Sequence, residues 1–153
     1  MILIDADMRN ASIHRKLGVP NQAGLANYLA IQAEMDEVIV ETHIENLYAI
    51  LSGSIPPNPA ELLTMSRMDL LLAQLKRDYD LIVIDTPPAL SVSDAQIIAA
   101  KSDGVLLVVE QSRVKREAAK KVKAYLDHVD AKLLGIVMNK VNKNQSDAYA
   151  NHY

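Results

Sequence analysis

Residues 1–10 read MILIDADMRN. Met1 to Ile4 form an apolar run of strand length, and the run ends in Asp5, Asp7 and Arg9. The same order recurs at residues 79–88, YDLIVIDTPP, where Leu81–Ile84 deliver Asp85 and Thr86. Three further runs, Leu47–Leu51, Val105–Val109 and Leu133–Met138, complete the series, and the last delivers Asn139. All five are nearly continuous rather than alternating, the pattern of parallel strands covered on both faces. Helical patterns lie between them. Pro59 to Tyr79 places Leu62, Leu63, Met68, Leu71, Leu72 and Leu75 on one broad face. Val114, Ala118, Val122, Leu126 and Val129 form a second stripe, with Ser112 as its predicted N-cap. Strands alternating with helices predict an α/β fold: a doubly wound, mostly parallel sheet with helices on both faces and right-handed crossovers.

Bulk properties narrow the function classes. The 153 residues carry a formal net charge of −3, so there is no overall basic footprint and nucleic acid is not an expected partner. The chain has no cysteine, which excludes disulfide and Cys–zinc frameworks. No apolar run approaches the ~20 residues of a membrane span, and with no basic n-region or cleavage site in view a signal peptide is not expected. One helix face is basic, with Arg113, Arg116, Lys120, Lys121 and Lys123; it reads as a solvated surface or a contact for an acidic partner.

In an open parallel sheet, ligands bind beyond the carboxyl ends of the strands. Asp5, Asp7, Asp85 and Asn139 all follow strands, so they are the candidate site residues. Carboxylates converging at one edge repel one another unless a cation or a proton intervenes. Hard oxygen ligands of this kind suit Mg²⁺. Each residue also has a plainer reading: a lone Asp after a strand caps a helix or forms a turn, and Asn139 can end a strand. The plainer reading is weakest for Asp85, because an apolar strand followed by Asp-Thr-Pro-Pro is a Walker B pattern with an extended exit.

Four segments, ILIDADMR (2–9), PPNPAELL (56–63), YDLIVIDTPP (79–88) and SDAQIIAAKSDGVLLVV (93–109), together resemble the cytoplasmic kinase domain of bacterial tyrosine kinases. These autokinases regulate capsule and exopolysaccharide synthesis and export, and they are deviant-Walker P-loop ATPases. The resemblance spans residues 2–140. It implies ATP and Mg²⁺ as cofactors. Asp5 and Asp7 match the acidic positions of the A′ motif, Asp5 near Mg²⁺ and Asp7 near the γ-phosphate and incoming tyrosine. Asp85 matches the Walker B aspartate that orders the Mg²⁺ water shell. Asp5, Asp7 and Asp85 are thus the implied catalytic set, with Asp5 and Asp85 toward the metal. Asn139 matches an adenine-contacting position, and Arg9 an arginine that meets phosphate or a neighbouring subunit. Tyr149 and Tyr153 lie where the family carries its phospho-acceptor tyrosines. Tyr28, Tyr48, Tyr79 and Tyr125 fall in apolar helix or strand patterns, where burial is expected to hide the hydroxyl. The implied partners are a membrane-spanning activator or chain-length regulator, further copies in a ring-like oligomer, and a cognate tyrosine phosphatase. The implied location is the cytoplasmic face of the bacterial plasma membrane.

The sequence departs from this pattern in three places. It contains no G-x-x-x-x-G-K-[ST] phosphate loop, and its five glycines are scattered. The family's loop lies upstream of the A′ motif, so the expectation is a partial domain lacking the first strand, phosphate loop and first helix. Ala11 stands where the family usually has proline, and the tail holds only two tyrosines. On this reading residues 1–142 are a partial kinase or ATPase domain and residues 143–153 a polar, tyrosine-containing tail. Two alternatives stand beside it: a partitioning-type deviant-Walker ATPase, disfavoured by PPNPAELL and the terminal tyrosines, and a non-catalytic interaction module, favoured by the absent loop.

Overall fold

The computed structural model describes residues 1–111 and 113–141, and these divide into two compact units at Ile98/Ala99. The predicted N-cap Ser112 and the tail residues Tyr149 and Tyr153 lie outside the described residues.

The first unit is built on β1 (Ile2–Asp5), α1 (Ile13–Leu17), α2 (Leu25–Leu29), α3 (Met35–Val38), β2 (Ile39–Glu41), β3 (Tyr48–Ile50), α4 (Pro59–Thr64), α5 (Ser66–Asp78) and β4 (Ile82–Asp85). α6 (Asp94–Lys101) begins in this unit and crosses the division. The sheet order is β2-β3-β1-β4. β3, β1 and β4 are parallel, and β2 runs antiparallel at the edge. Three of the five predicted strands form this mostly parallel sheet, and β2 is a further strand that the apolar runs do not predict. β2 is only three residues long and directly follows a helix, so it carries no period of its own.

Side chains on alternate positions bury opposite faces. Ile2 and Ile4, with Ile82 and Ile84 opposite them in register, pack with Leu63, Met68, Leu71 and Leu75. The other face is covered by α1, whose Ile13 and Leu17 pack with Ala49 and Leu51 and the half-buried Leu3. The single helix predicted over Pro59–Tyr79 is two helices. Met65 between them has φ −63° and ψ 147°, an extended residue that re-aims the chain. All six apolar residues of the predicted face are nevertheless buried.

The second unit contains β5 (Val105–Glu110), α7 (Arg116–His128) and β6 (Leu133–Asn139). β5 and β6 pair in parallel, with an irregularity between Val105 and Leu106. Val109, Val122 and Leu126 are buried, whereas Leu106, Val108, Ile136 and Met138 are exposed. The continuous apolar pattern therefore locates these strands correctly but does not bury them on both faces. α7 starts at Arg116, with Lys115 at the N-cap position. Arg116, Lys120, Lys121 and Lys123 are exposed along it, and Arg113 is exposed in the turn before it.

Candidate functional site

The register of the first sheet builds the candidate site. β1 and β4 run side by side with Ile2 opposite Ile82 and Asp5 opposite Asp85. Both aspartates therefore end their strands at the same carboxyl edge. The ladder continues one residue further, where the Ala6 N–H donates to the Asp85 carbonyl at 2.9 Å.

The carboxylates are used differently. Asp5 is buried, and both its oxygens accept backbone hydrogen bonds. Oδ1 takes the Asp7 N–H at 3.2 Å; Oδ2 takes the Ser12 and Ile13 N–H groups at 3.3 and 3.2 Å. The latter lie at the start of α1, where amides lack helical partners and Ser12 makes no side-chain cap. Asp5 thus ties the strand exit to the next helix. Asp7 accepts the Asn10 N–H through Oδ1 at 2.9 Å, closing a short turn. The Asp85 carboxylate accepts no hydrogen bond from any described group. Desolvation beside the strand ends pushes its carboxyl above the ordinary range; Asp5 and then Asp7 push it further, while Lys16 of α1 pulls it back.

Arg9 leaves the same loop and meets Asp94 as a fork. Nε donates to Oδ2 at 2.9 Å and Nη2 to Oδ1 at 3.1 Å. Asp94 is fully buried at the first turn of α6, while the Arg9 side chain is 41 % exposed. The arginine expected to meet phosphate or a neighbouring subunit is therefore held by a carboxylate of its own unit.

Asn139 belongs to the second unit, at the carboxyl end of β6 opposite Glu110 of β5. Its Oδ1 accepts the Lys140 N–H at 2.8 Å, and Lys140 Nζ donates to Glu110 at 2.9 Å. Of the tyrosines expected to be hidden, Tyr28 is buried under Arg67, whose guanidinium lies 4.3 Å from the ring centroid. Tyr48 and Tyr79 pack edge to face at 5.4 Å. Tyr125 departs from that expectation and is 43 % exposed, at the margin of the buried Val122–Leu126 stripe of α7.

No group of three or more His, Asp or Glu side chains closes into a metal cage among the described residues. That arrangement still fits Mg²⁺, which keeps most of its waters and takes one or two carboxylates plus phosphate oxygens. Asp85, crowded by like charge and without a donor, and the second oxygen of Asp7 are the groups with room for such a shell. Asp5 accepts one amide at Oδ1 and two at Oδ2, which leaves a lone pair on Oδ1 for the same shell.

The sequence located the three aspartates because each ends or follows an apolar strand. It did not reveal Asp94, whose arginine partner is 85 positions away, nor Lys16, which lies in a helix too short to show a period.

A family model described as an AAA domain matches residues 1–140. Tyrosine-protein kinase CpsD of Streptococcus agalactiae is 39 % identical over 144 residues, which are 94 % of this chain and 63 % of the relative. The putative tyrosine-protein kinase CapB of Staphylococcus aureus is 36 % identical over 152 residues, 99 % of this chain and 67 % of the relative. Among solved structures, the kinase domain of the Escherichia coli tyrosine kinase ETK superposes with a TM-score of 0.91 at 35 % identity, covering 99 % of this chain and 60 % of that one. The chain thus spans about two thirds or less of each of these three relatives. With the aspartates of β1 and β4 aligned at one strand edge and this identity along nearly its whole length, the chain belongs to the bacterial tyrosine-protein kinase family of P-loop NTPases.

Proposed function

We propose that this chain is part of an ATP-dependent protein-tyrosine autokinase that regulates capsule or exopolysaccharide synthesis. The observation that carries the reading is the in-register pair Asp5–Asp85 at the carboxyl edge of a chain more than one third identical to tyrosine-protein kinases. Phosphoryl transfer demands positioning and charge neutralisation more than covalent chemistry. Asp5 and Asp85, with the second oxygen of Asp7 beside them, would hold the water shell of Mg²⁺, whose role is to neutralise the phosphates. Asp7 would also receive the proton of the incoming tyrosine, and Asp5 keeps the loop in place through its amide bonds. Asn139 would contact the adenine, and Tyr149 and Tyr153 would be the acceptors. A membrane-spanning activator, further copies of the chain and a tyrosine phosphatase are the proposed partners, at the cytoplasmic face of the membrane. No helix among the described residues is long and apolar enough to cross a membrane, so anchoring would come from such a partner or from a further segment.

The missing glycine-rich loop favours a second reading for residues 1–153 acting alone, that of a module which does not hold nucleotide. Backbone amides and a lysine in that loop would supply most of the phosphate contacts. Calorimetric titration of the 153-residue chain with MgATP should show no binding tighter than millimolar. Joining it to the phosphate-loop segment of the Staphylococcus aureus relative should restore binding and produce phosphotyrosine. Micromolar affinity in the chain alone would refute the second reading; a well-folded hybrid that binds MgATP but never labels tyrosine would refute the first.

A further inference from the structure

The Arg9–Asp94 fork joins the two loops that carry the candidate carboxylates. Arg9 lies two residues after Asp7 in the exit loop of β1, and Asp94 closes the exit loop of β4 nine residues after Asp85. A carboxylate with no exposed surface is costly unless its partner geometry is good. Here two parallel N–H···O bonds of 2.9 and 3.1 Å supply that geometry. Asp94 is the first residue of α6 and so not its cap; the chain enters the helix through Ser93, whose carbonyl accepts the Gln96 and Ile97 amides at 2.9 and 3.0 Å. The Asp94 side chain is turned instead toward a loop 85 residues away in sequence. We propose that Asp94 is a positioning residue: through Arg9 it fixes the β1 exit loop against the β4 exit loop, and so sets the spacing of Asp7 and Asp85. Its consequence for cation binding rests on the metal role proposed above; the fixing of the loops does not.

The test is amide hydrogen exchange on the intact 153-residue chain, read with Mn²⁺ titration by electron paramagnetic resonance. Asp94→Asn and Arg9→Gln should each speed exchange about tenfold or more in residues 6–12 and 86–93 together, leaving the amides of β3 and α5 unchanged. The double variant should be no faster than either single one, since both remove the same fork. Mn²⁺ affinity should fall in both variants, and Arg9→Lys should restore only part of it, because lysine cannot form the fork. Faster exchange confined to α6, a uniform rise throughout the chain, or additive effects in the double variant would overturn the positioning role. Should Asp94→Asn fail to fold, the exposed Arg9→Gln decides the matter alone. If the parent chain binds no Mn²⁺ while the two loops still loosen together, the metal role fails and the positioning role stands.

Discussion

Asp5 and Asp85 sit opposite each other in one ladder yet do different work, because one carboxylate has amide partners and the other faces Asp5 and Asp7 with only Lys16 to offset them. Raised proton affinity in the folded state means that ionised Asp85 opposes folding. The penalty is absent below the ordinary carboxylate range and grows as pH rises through the raised value. At neutral pH, Asp85→Asn should therefore melt higher than the parent, with the gap closing as pH falls through the acid range. Adding Mg²⁺ should raise the parent's melting temperature and leave that of Asp85→Asn unchanged. Differential scanning calorimetry at several pH values checks both statements, and a variant that melts lower at neutral pH would contradict them. Asp5→Asn should behave oppositely and destabilise the chain by about 1–3 kcal/mol, since it weakens three amide bonds to a buried carboxylate. At this scale the candidate positions were legible in the sequence because charge after an apolar strand is a local signal. Which carboxylate is satisfied and which is crowded depends on register and on the start of α1, neither of which a local pattern encodes.

Among the elements, the strands were read most surely and the short helices least. Five-residue helices such as α1 and α2 span little more than one turn, too few residues for a period to appear. The break at Met65 was hidden for a related reason: the apolar residues on both sides stay buried, so the hydrophobic face continues across a change of direction. Two loop positions have consequences of their own. Ile31 follows α2 with φ +60°, a left-handed conformation unfavourable for a β-branched residue, and it is 74 % exposed. Ile31→Gly should stabilise the chain by about 1 kcal/mol, because it relieves that strain and loses little packing. Gly53 has φ +74° where the loop after β3 meets α2, and a Cβ there would strike the Asn27 side chain and the Gly24 backbone. Gly53→Ala should destabilise by more than ~1 kcal/mol. Urea unfolding midpoints measure both, and shifts of the opposite sign would show that the loop backbone differs from the one described.

At the scale of the whole molecule, the sequence conveyed the α/β class through its alternation of elements and the family through four short segments. It could not convey how the chain divides. The first unit buries both faces of β1, whereas the two-stranded sheet of the second leaves Leu106, Val108 and Ile136 exposed on strands that read as fully covered. Apolar content reports what a strand is able to bury, and the elements packed beside it decide what it does bury. Acceptor choice belongs to this scale as well. Tyr28, Tyr48 and Tyr79 are buried or packed, whereas Tyr125 is exposed and so rivals the proposed acceptors Tyr149 and Tyr153. The most direct measurement is phosphotyrosine mapping by mass spectrometry on the chain joined to a relative's phosphate-loop segment, after incubation with MgATP. Phosphate is expected on Tyr149 or Tyr153, delivered by one copy to another. The label should be lost in Asp85→Asn and in the pair Tyr149→Phe plus Tyr153→Phe. Phosphate confined to Tyr125, or labelling that survives both sets of substitutions, would contradict it.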